Sequence, residues 1–327
     1  MITLGIETSC DETGVALVKD GKKILANVVA TSLELHRKFG GVIPEIASRM
    51  QLESIAAVFW QALKQAKIKP QQLDLIAVTI EPGLLGSLLV GRSFAQGLAL
   101  SLHKPLIGVN HVQSHIYANM LEGRKIKFPG VALVVSGGHT SIFYLKDFTQ
   151  IKILGQTQDD ACGEAFDKVG KIMHLGYPGG PLIEKLARQG NKEKIRFACS
   201  GTNHPLNFSF SGIKTAVLYY LKEHSVNAQL KQDVAASFQE SAINVLIKKA
   251  FLACEKKHTK TLLIGGGVVA NRALREKFLA CGKRMKINCF FPRLDLCMDN
   301  AAMVAGLGGY LYKRGIRNDP EFNFDFS

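Results

Sequence analysis

The stretch LGIETSCDETGVALV, residues 4–18, is an apolar run, a polar tip and a second apolar run. Apolar runs bounded by turn-forming residues read as strands, so the stretch predicts a β-hairpin. The same plan returns at VALVVSGGHTSIFYL, residues 131–145, with Ser136, Gly137 and Gly138 at the turn. The two segments read as a distant internal duplication. A third segment, TLLIGGGVVANRALREKF at 261–278, is a buried strand, three glycines and an amphipathic helix.

Helical spacing of apolar residues predicts helices over EIASRMQLESIAAVFWQALKQA, GSLLVGRSFAQGLALSL and VAASFQESAINVLIKKAFLACEKK, with a strand at LDLIAVTI. DNAAMVAGLGGYLYKRG closes the pattern as a small-residue helix, with Asp299 or Asn300 placed to cap it. Strands and helices mix throughout, so the class is α/β. The restart of the strand pattern puts a domain boundary near residue 108.

A chain of 327 residues has room for two domains and a sizeable core. The amino terminus has neither the basic nor the apolar region of a signal peptide. FPGVALVVSGGHTSIFYL is the longest uncharged run, but its Phe-Pro-Gly opening and central Ser-Gly-Gly read as strand, turn, strand rather than a membrane span. The seven cysteines are scattered without a C-x-x-C pair, which suggests neither a disulfide framework nor a zinc finger and fits a reducing cytoplasm. The net charge of +14 is uneven: residues 1–107 carry +2 and the rest +12. Such an asymmetry suits a polyanion such as nucleic acid, and equally a solvated basic surface.

His111 and His115 lie four residues apart in PLIGVNHVQSHIYANM, on one face of a helix if a helix forms there. The spacing alone leaves packing and metal binding both open. A metalloprotease of the H-E-x-x-H type needs a glutamate directly after the first histidine, and Val112 stands there. The Ser-Gly-Gly turn at 136–138 is a natural anion cradle, because missing side chains let backbone amides approach phosphate oxygens.

The plan of two phosphate-type loops and a strand-GGG-helix resembles the actin-like ATPase superfamily. A narrower resemblance rests on SCDET at 9–13, FGGVIPEIASRMQ at 39–51, NHVQSH at 110–115, SGGHT at 136–140 and DDACGEAFDKVGK at 159–171. GYPGGP at 176–181, FSFSGIKTA at 208–216, GGGVVANRALR at 265–275 and MDNAAMVA at 298–305 complete the set. Together they are similar to the bacterial tRNA N6-adenosine threonylcarbamoyltransferases, a family once described as glycoprotein endopeptidases.

The resemblance implies two actin-like (ribonuclease H-like) domains with a central cleft: residues 1–107, completed by a C-terminal helix at about 299–327, and residues 108–298, carrying the metal and nucleotide loops. It implies one divalent metal, Fe(2+) before Zn(2+), held by His111, His115 and Asp299. Two histidines and a carboxylate leave positions open for substrate oxygens. The implied reaction moves a threonylcarbamoyl group from threonylcarbamoyl-AMP to the exocyclic amine of the adenosine beside the anticodon, in tRNAs reading codons that begin with A. Val134, Val135, Ser136, Gly137 and Gly138 would form the phosphate-side loop. Asp167 and Glu184 would accept from ribose hydroxyls, Gly180 would let backbone approach the nucleoside, and Asn271 would bond the adenine or ribose edge. Asp11 and Glu12, on the first hairpin tip, would assist proton movement. Lys214 and the basic second region would meet tRNA phosphates.

The implied partners are a metal-free paralogue and a small P-loop ATPase, with no membrane. The main rival is a metal-dependent glycoprotein peptidase; a non-catalytic scaffold and a small-molecule kinase are further alternatives. Glu81-Pro82-Gly83-Leu84 departs from the family's Gly-Pro-Gly-Leu, which puts a close backbone contact at that loop in doubt. The tail DPEFNFDFS is also unlike the family's usual ending.

Overall fold

The computed structural model describes residues 1–199 and 201–317; the tail DPEFNFDFS lies outside the described residues. The chain divides into two compact units, residues 1–125 with the segment from Met298 onward, and residues 126–297.

The first unit is built from β1 (Ile2–Glu7), β2 (Glu12–Lys19), β3 (Lys23–Thr31), α1 (Leu33–Phe39), α2 (Pro44–Ala66), β4 (Leu75–Glu81), α3 (Leu85–Leu102), β5 (Leu106–Asn110) and α4 (His111–Tyr117). Its sheet runs β3-β2-β1-β4-β5. The opening stretch is the predicted hairpin, β1 antiparallel to β2, while β4 and β5 run parallel to β1. On one face Leu4, Ile6, Val15 and Leu17 meet Ile55, Val58 and Phe59 of α2 in a single core cluster. The C-terminal helix of the described chain covers the other face, against β1, β2 and β4. A Cβ on Gly5 would lie 2.6 Å from the backbone nitrogen of Ala305, so glycine here sets how closely helix and sheet approach. Cover on both faces explains why β1 and β2 read as apolar runs instead of alternating.

The second unit contains β6 (Gly130–Val135), β7 (Thr140–Asp147), β8 (Gln150–Gln156), α5 (Cys162–Ile172), α6 (Gly179–Ala187), α7 (Ser211–Glu223), α8 (Ala228–Lys256), β9 (Thr261–Gly265), α9 (Arg272–Met285) and β10 (Asn288–Phe290). Helix α10 (Ala301–Lys313) then returns to the first unit. The second sheet runs β10-β9-β6-β7-β8. Hairpin β6–β7 is antiparallel, β8 extends it, and β9 and β10 add in parallel, the pattern of the first sheet strand for strand. The duplication suggested by two hairpin motifs therefore extends to five strands in each unit.

The division at 125/126 differs from the expected boundary at 107/108. The strand that seemed to restart a domain, β5, is the fifth strand of the first sheet, paired with β4 from Ile76↔Leu106 onward. Helix α4 follows it and packs on α10. His111 and His115 thus belong to the first unit, not to the second. The helix over Leu85–Leu102 is the one helix among the described residues long and apolar enough to cross a membrane; it packs on α2 and β4.

Candidate metal centre and substrate loops

In the first unit, Asn110 caps α4 by accepting from Gln113 N at 3.1 Å. Its seven residues form a helix that places His111 and His115 on one face, ring centroids 4.6 Å apart. Both imidazoles are buried, at 5% and 1% exposure. At the start of α10 it is Asn300 that caps, accepting from Met303 N at 3.2 Å. Asp299 is thereby left to face the histidines, with Oδ1 3.0 Å from His115 Nε2 and 3.7 Å from His111 Nε2. One donor atom from each of the three residues falls within 4.8 Å of the others.

The donor chemistry suits a divalent cation. Neither ring nitrogen of the buried His115 makes a hydrogen bond, its contact with Asp299 being close but out of line. A buried polar atom left so costs free energy unless something satisfies it. Burial opposes charge on His111, but Glu7 and Asp299 outweigh it and raise the imidazole to about 9. For Glu7, burial pushes upward, and the attraction of His111 more than offsets it, holding the carboxylate below its usual range.

The hairpin tip lies against this cluster. Its carbonyls are tethered: Ser9 O to Leu84 N, Cys10 O to Ser87 Oγ, and Asp11 O to Ser32 Oγ. Burial, then the charges of Asp299 and Asp11, push Glu12 well above the ordinary carboxylate range. The loop after β4 does come close: a Cβ on Gly83 would sit 2.8 Å from Ser9 Cβ. Glu81 ends β4 as an exposed residue whose Oε1 accepts from Asn110 Nδ2 at 3.3 Å. The close approach thus belongs to Gly83, and Glu81 does not hinder it.

In the second unit, the substrate-loop candidates gather at the carboxyl ends of β6 and β9, the edge where open α/β sheets bind ligands. Val134 and Val135 are buried in the ladder, opposite Ser141 and Thr140. Ser136 closes the turn, donating from its amide to His139 O at 2.8 Å and accepting from His139 N at Oγ. Gly137 and Gly138 border open space. Gly266, with φ of +97°, runs so close to β6 that a Cβ would meet the carbonyl carbon of Val135 at 2.7 Å.

Asp167 accepts from Gly179 N at 2.7 Å and so caps α6; burial raises its carboxyl. Gly180 borders open space. Glu184 accepts from Arg272 N at 3.1 Å, and Asn271 from Leu274 N at 2.9 Å while donating to Gln239 Oε1 at 2.7 Å. These three polar side chains form a relay of helix caps from α5 to α6 to α9. Lys214 is ion-paired with Asp160 at 3.0 Å, and Asp159 binds Ser209, Phe210 and Ser211. The exposed cations Lys256, Lys260, Lys283, Arg284 and Lys286 cluster instead where α8 and α9 end, joined by Asn288 N donating to Lys260 O at 2.7 Å.

Sequence reasoning missed Glu7, Ser9, Thr79 and Gln51, which hold the cluster and the hairpin tip. A charged residue ending an otherwise apolar strand was the one signal for Glu7.

Solved structures share the fold. HypF of T. kodakarensis superposes with a TM-score of 0.66 at 15% identity, over 96% of this chain and 48% of that one. Component A of the Acidaminococcus fermentans (R)-2-hydroxyglutaryl-CoA dehydratase does so at 0.59 and 17%, over 96% and 98%. Two units of one topology, the first carrying two histidines and a carboxylate, define an actin-like ATPase-fold protein with a metal-type donor set. The profile of the tRNA N6-adenosine threonylcarbamoyltransferases (TsaD) matches residues 23–306. The member from Thermosipho africanus is 50% identical over 320 residues, 98% of this chain and 97% of its own. That from Symbiobacterium thermophilum is 50% identical over 323 residues, 98% and 95%. The chain belongs to the tRNA N6-adenosine threonylcarbamoyltransferase family, and so to the transferases.

Proposed function

We propose that the chain transfers a threonylcarbamoyl group from threonylcarbamoyl-AMP to N6 of the adenosine beside the anticodon, in tRNAs reading codons that begin with A. The observation that carries the reading is membership of the family over nearly the whole chain, joined by the convergence of His111, His115 and Asp299. These three residues would hold one divalent ion, Fe(2+) before Zn(2+), which supplies a Lewis acid for a substrate oxygen. The Ser136–Gly138 turn would receive the phosphate, where amides and open space favour an oxyanion. Attack by N6 on the carbamoyl carbon releases AMP. Asp11 and Glu12, on the first hairpin tip, would assist proton movement as N6 loses its proton and AMP leaves. Asp167 and Glu184 would accept from ribose hydroxyls, Gly180 would let backbone approach the nucleoside, and Asn271 would bond the adenine or ribose edge; the caps made by Asp167 Oδ1, Glu184 Oε1 and Asn271 Oδ1 hold α6 and α9 in place beside them.

The tRNA would meet the exposed cations at the ends of α8 and α9, since phosphate contacts supply most non-specific affinity for nucleic acid. The chain would act in the cytoplasm with a metal-free paralogue and a small P-loop ATPase. The peptidase alternative keeps only the histidine spacing. The test is transfer of labelled threonine to unmodified tRNA, with synthase, bicarbonate, ATP and partner proteins present. Label that depends on the chain and falls sharply in His111→Ala supports the reading. No label, in a system that works with a known transferase, overturns it.

A further inference from the structure

We infer that Glu7 is a positioning residue for the metal centre, its carboxylate fixing which nitrogen of His111 faces His115 and Asp299. The inference rests on the metal reading above.

Glu7 ends β1 and is 1% exposed. A buried carboxylate is costly unless its oxygens are paired, and both oxygens of Glu7 are paired. Oε1 accepts from Ser9 N at 2.7 Å. Oε2 accepts from Thr79 Oγ1 at 2.7 Å and lies 3.1 Å from His111 Nδ1. An ionised carboxylate only accepts, so Nδ1 must bear the proton in that contact. The lone pair of a neutral His111 is then on Nε2, the nitrogen facing Asp299. A carboxylate behind a ligating histidine holds ring orientation and raises basicity, and its loss typically weakens metal affinity about 10–100-fold.

His115 has no such partner: neither of its ring nitrogens makes a hydrogen bond. The centre therefore combines one imidazole with a carboxylate behind its Nδ1 and one whose Nδ1 has no such buttress. Glu7 also binds the amide of Ser9, whose Oγ lies 3.0 Å from His111 Nδ1. Ser9 opens the tip that carries Asp11 and Glu12. One side chain thus sets both the direction of a ligand and the start of the loop beside it.

The test is titration of the full chain with Co(2+), read by visible absorption, for wild type, Glu7→Gln and Glu7→Asp. Glu7→Gln keeps the shape and removes the charge; it is expected to bind about 10–100-fold more weakly, with shifted d–d bands. Glu7→Asp keeps the charge, withdraws it by one methylene, and should fall between the two. A residue that only supports the fold would lower the melting temperature of the metal-free variant and leave binding alone. Folded Glu7→Gln with affinity within twofold of wild type and the same spectrum overturns the inference. Should Glu7→Gln not fold, Glu7→Asp is judged by the same criterion. Wild-type protein whose Co(2+) spectrum is unchanged by His115→Ala overturns the metal reading itself, and the inference with it.

Discussion

Gln51 donates through Nε2 to the carbonyls of Cys10 and Glu12, both at 2.9 Å, from a side chain with no exposed surface. One amide on α2 thereby clamps both sides of the hairpin tip that carries Asp11. The apolar face of α2 builds the core, and this single polar residue on it reaches up to the site.

Replacing Gln51 with leucine keeps the volume and leaves buried carbonyls without their donor. The expected cost is about 2 kcal/mol of stability, the penalty of unpaired buried groups, together with a marked fall in transfer. Chemical denaturation and the tRNA-labelling assay read the two effects; unchanged values in both would show that the clamp is dispensable.

Metal binding should depend on pH through His111. Its metal-free imidazole is raised to about 9, so a cation must displace a proton below that pH. Apparent affinity should rise about tenfold per pH unit and level off near 9, with roughly one proton released at neutrality. Without metal the sign reverses: the pairing of His111 stabilises the fold fully below pH 6.5 and is lost as pH rises through 9. Calorimetry in buffers of different ionisation enthalpy counts the proton.

Charge reversal at Lys283 and Lys286 should weaken tRNA binding about tenfold at moderate salt and flatten its salt dependence. Lys214→Ala should act differently. It breaks the ion pair with Asp160, so it should disturb the loop before α5 more than it changes the salt slope. Binding isotherms at several salt concentrations distinguish the two. A salt slope unchanged by the double reversal would place the tRNA elsewhere.

Gly137→Val and Gly266→Ala should fail for opposite reasons. Gly137 borders open space, so valine should leave the melting temperature nearly unchanged and obstruct the phosphate-side turn. Gly266 has positive φ and lies against β6, so even a methyl group should cost about 1–2 kcal/mol or more. Thermal unfolding with and without AMP separates a lost ligand from a lost fold.

The sequence by itself determined the hairpins, the strand-GGG-helix and the long helices, because apolar periodicity and turn residues act over short range. It also carried the family resemblance, since the motifs are contiguous, and it marked His111 and His115, which one helical turn brings together. It misplaced the boundary because a strand's own residues do not say which sheet edge it joins; β5 became the edge of the first sheet only through pairing with β4. Tertiary structure alone decided that Asn300 caps α10 while Asp299 turns to histidines nearly two hundred positions away. It alone brought Glu7, Thr79 and Gln51 to the site from separate elements. Such contacts depend on the packing of distant segments in space, and buried charge and unpaired imidazole nitrogens become visible only after that packing is complete.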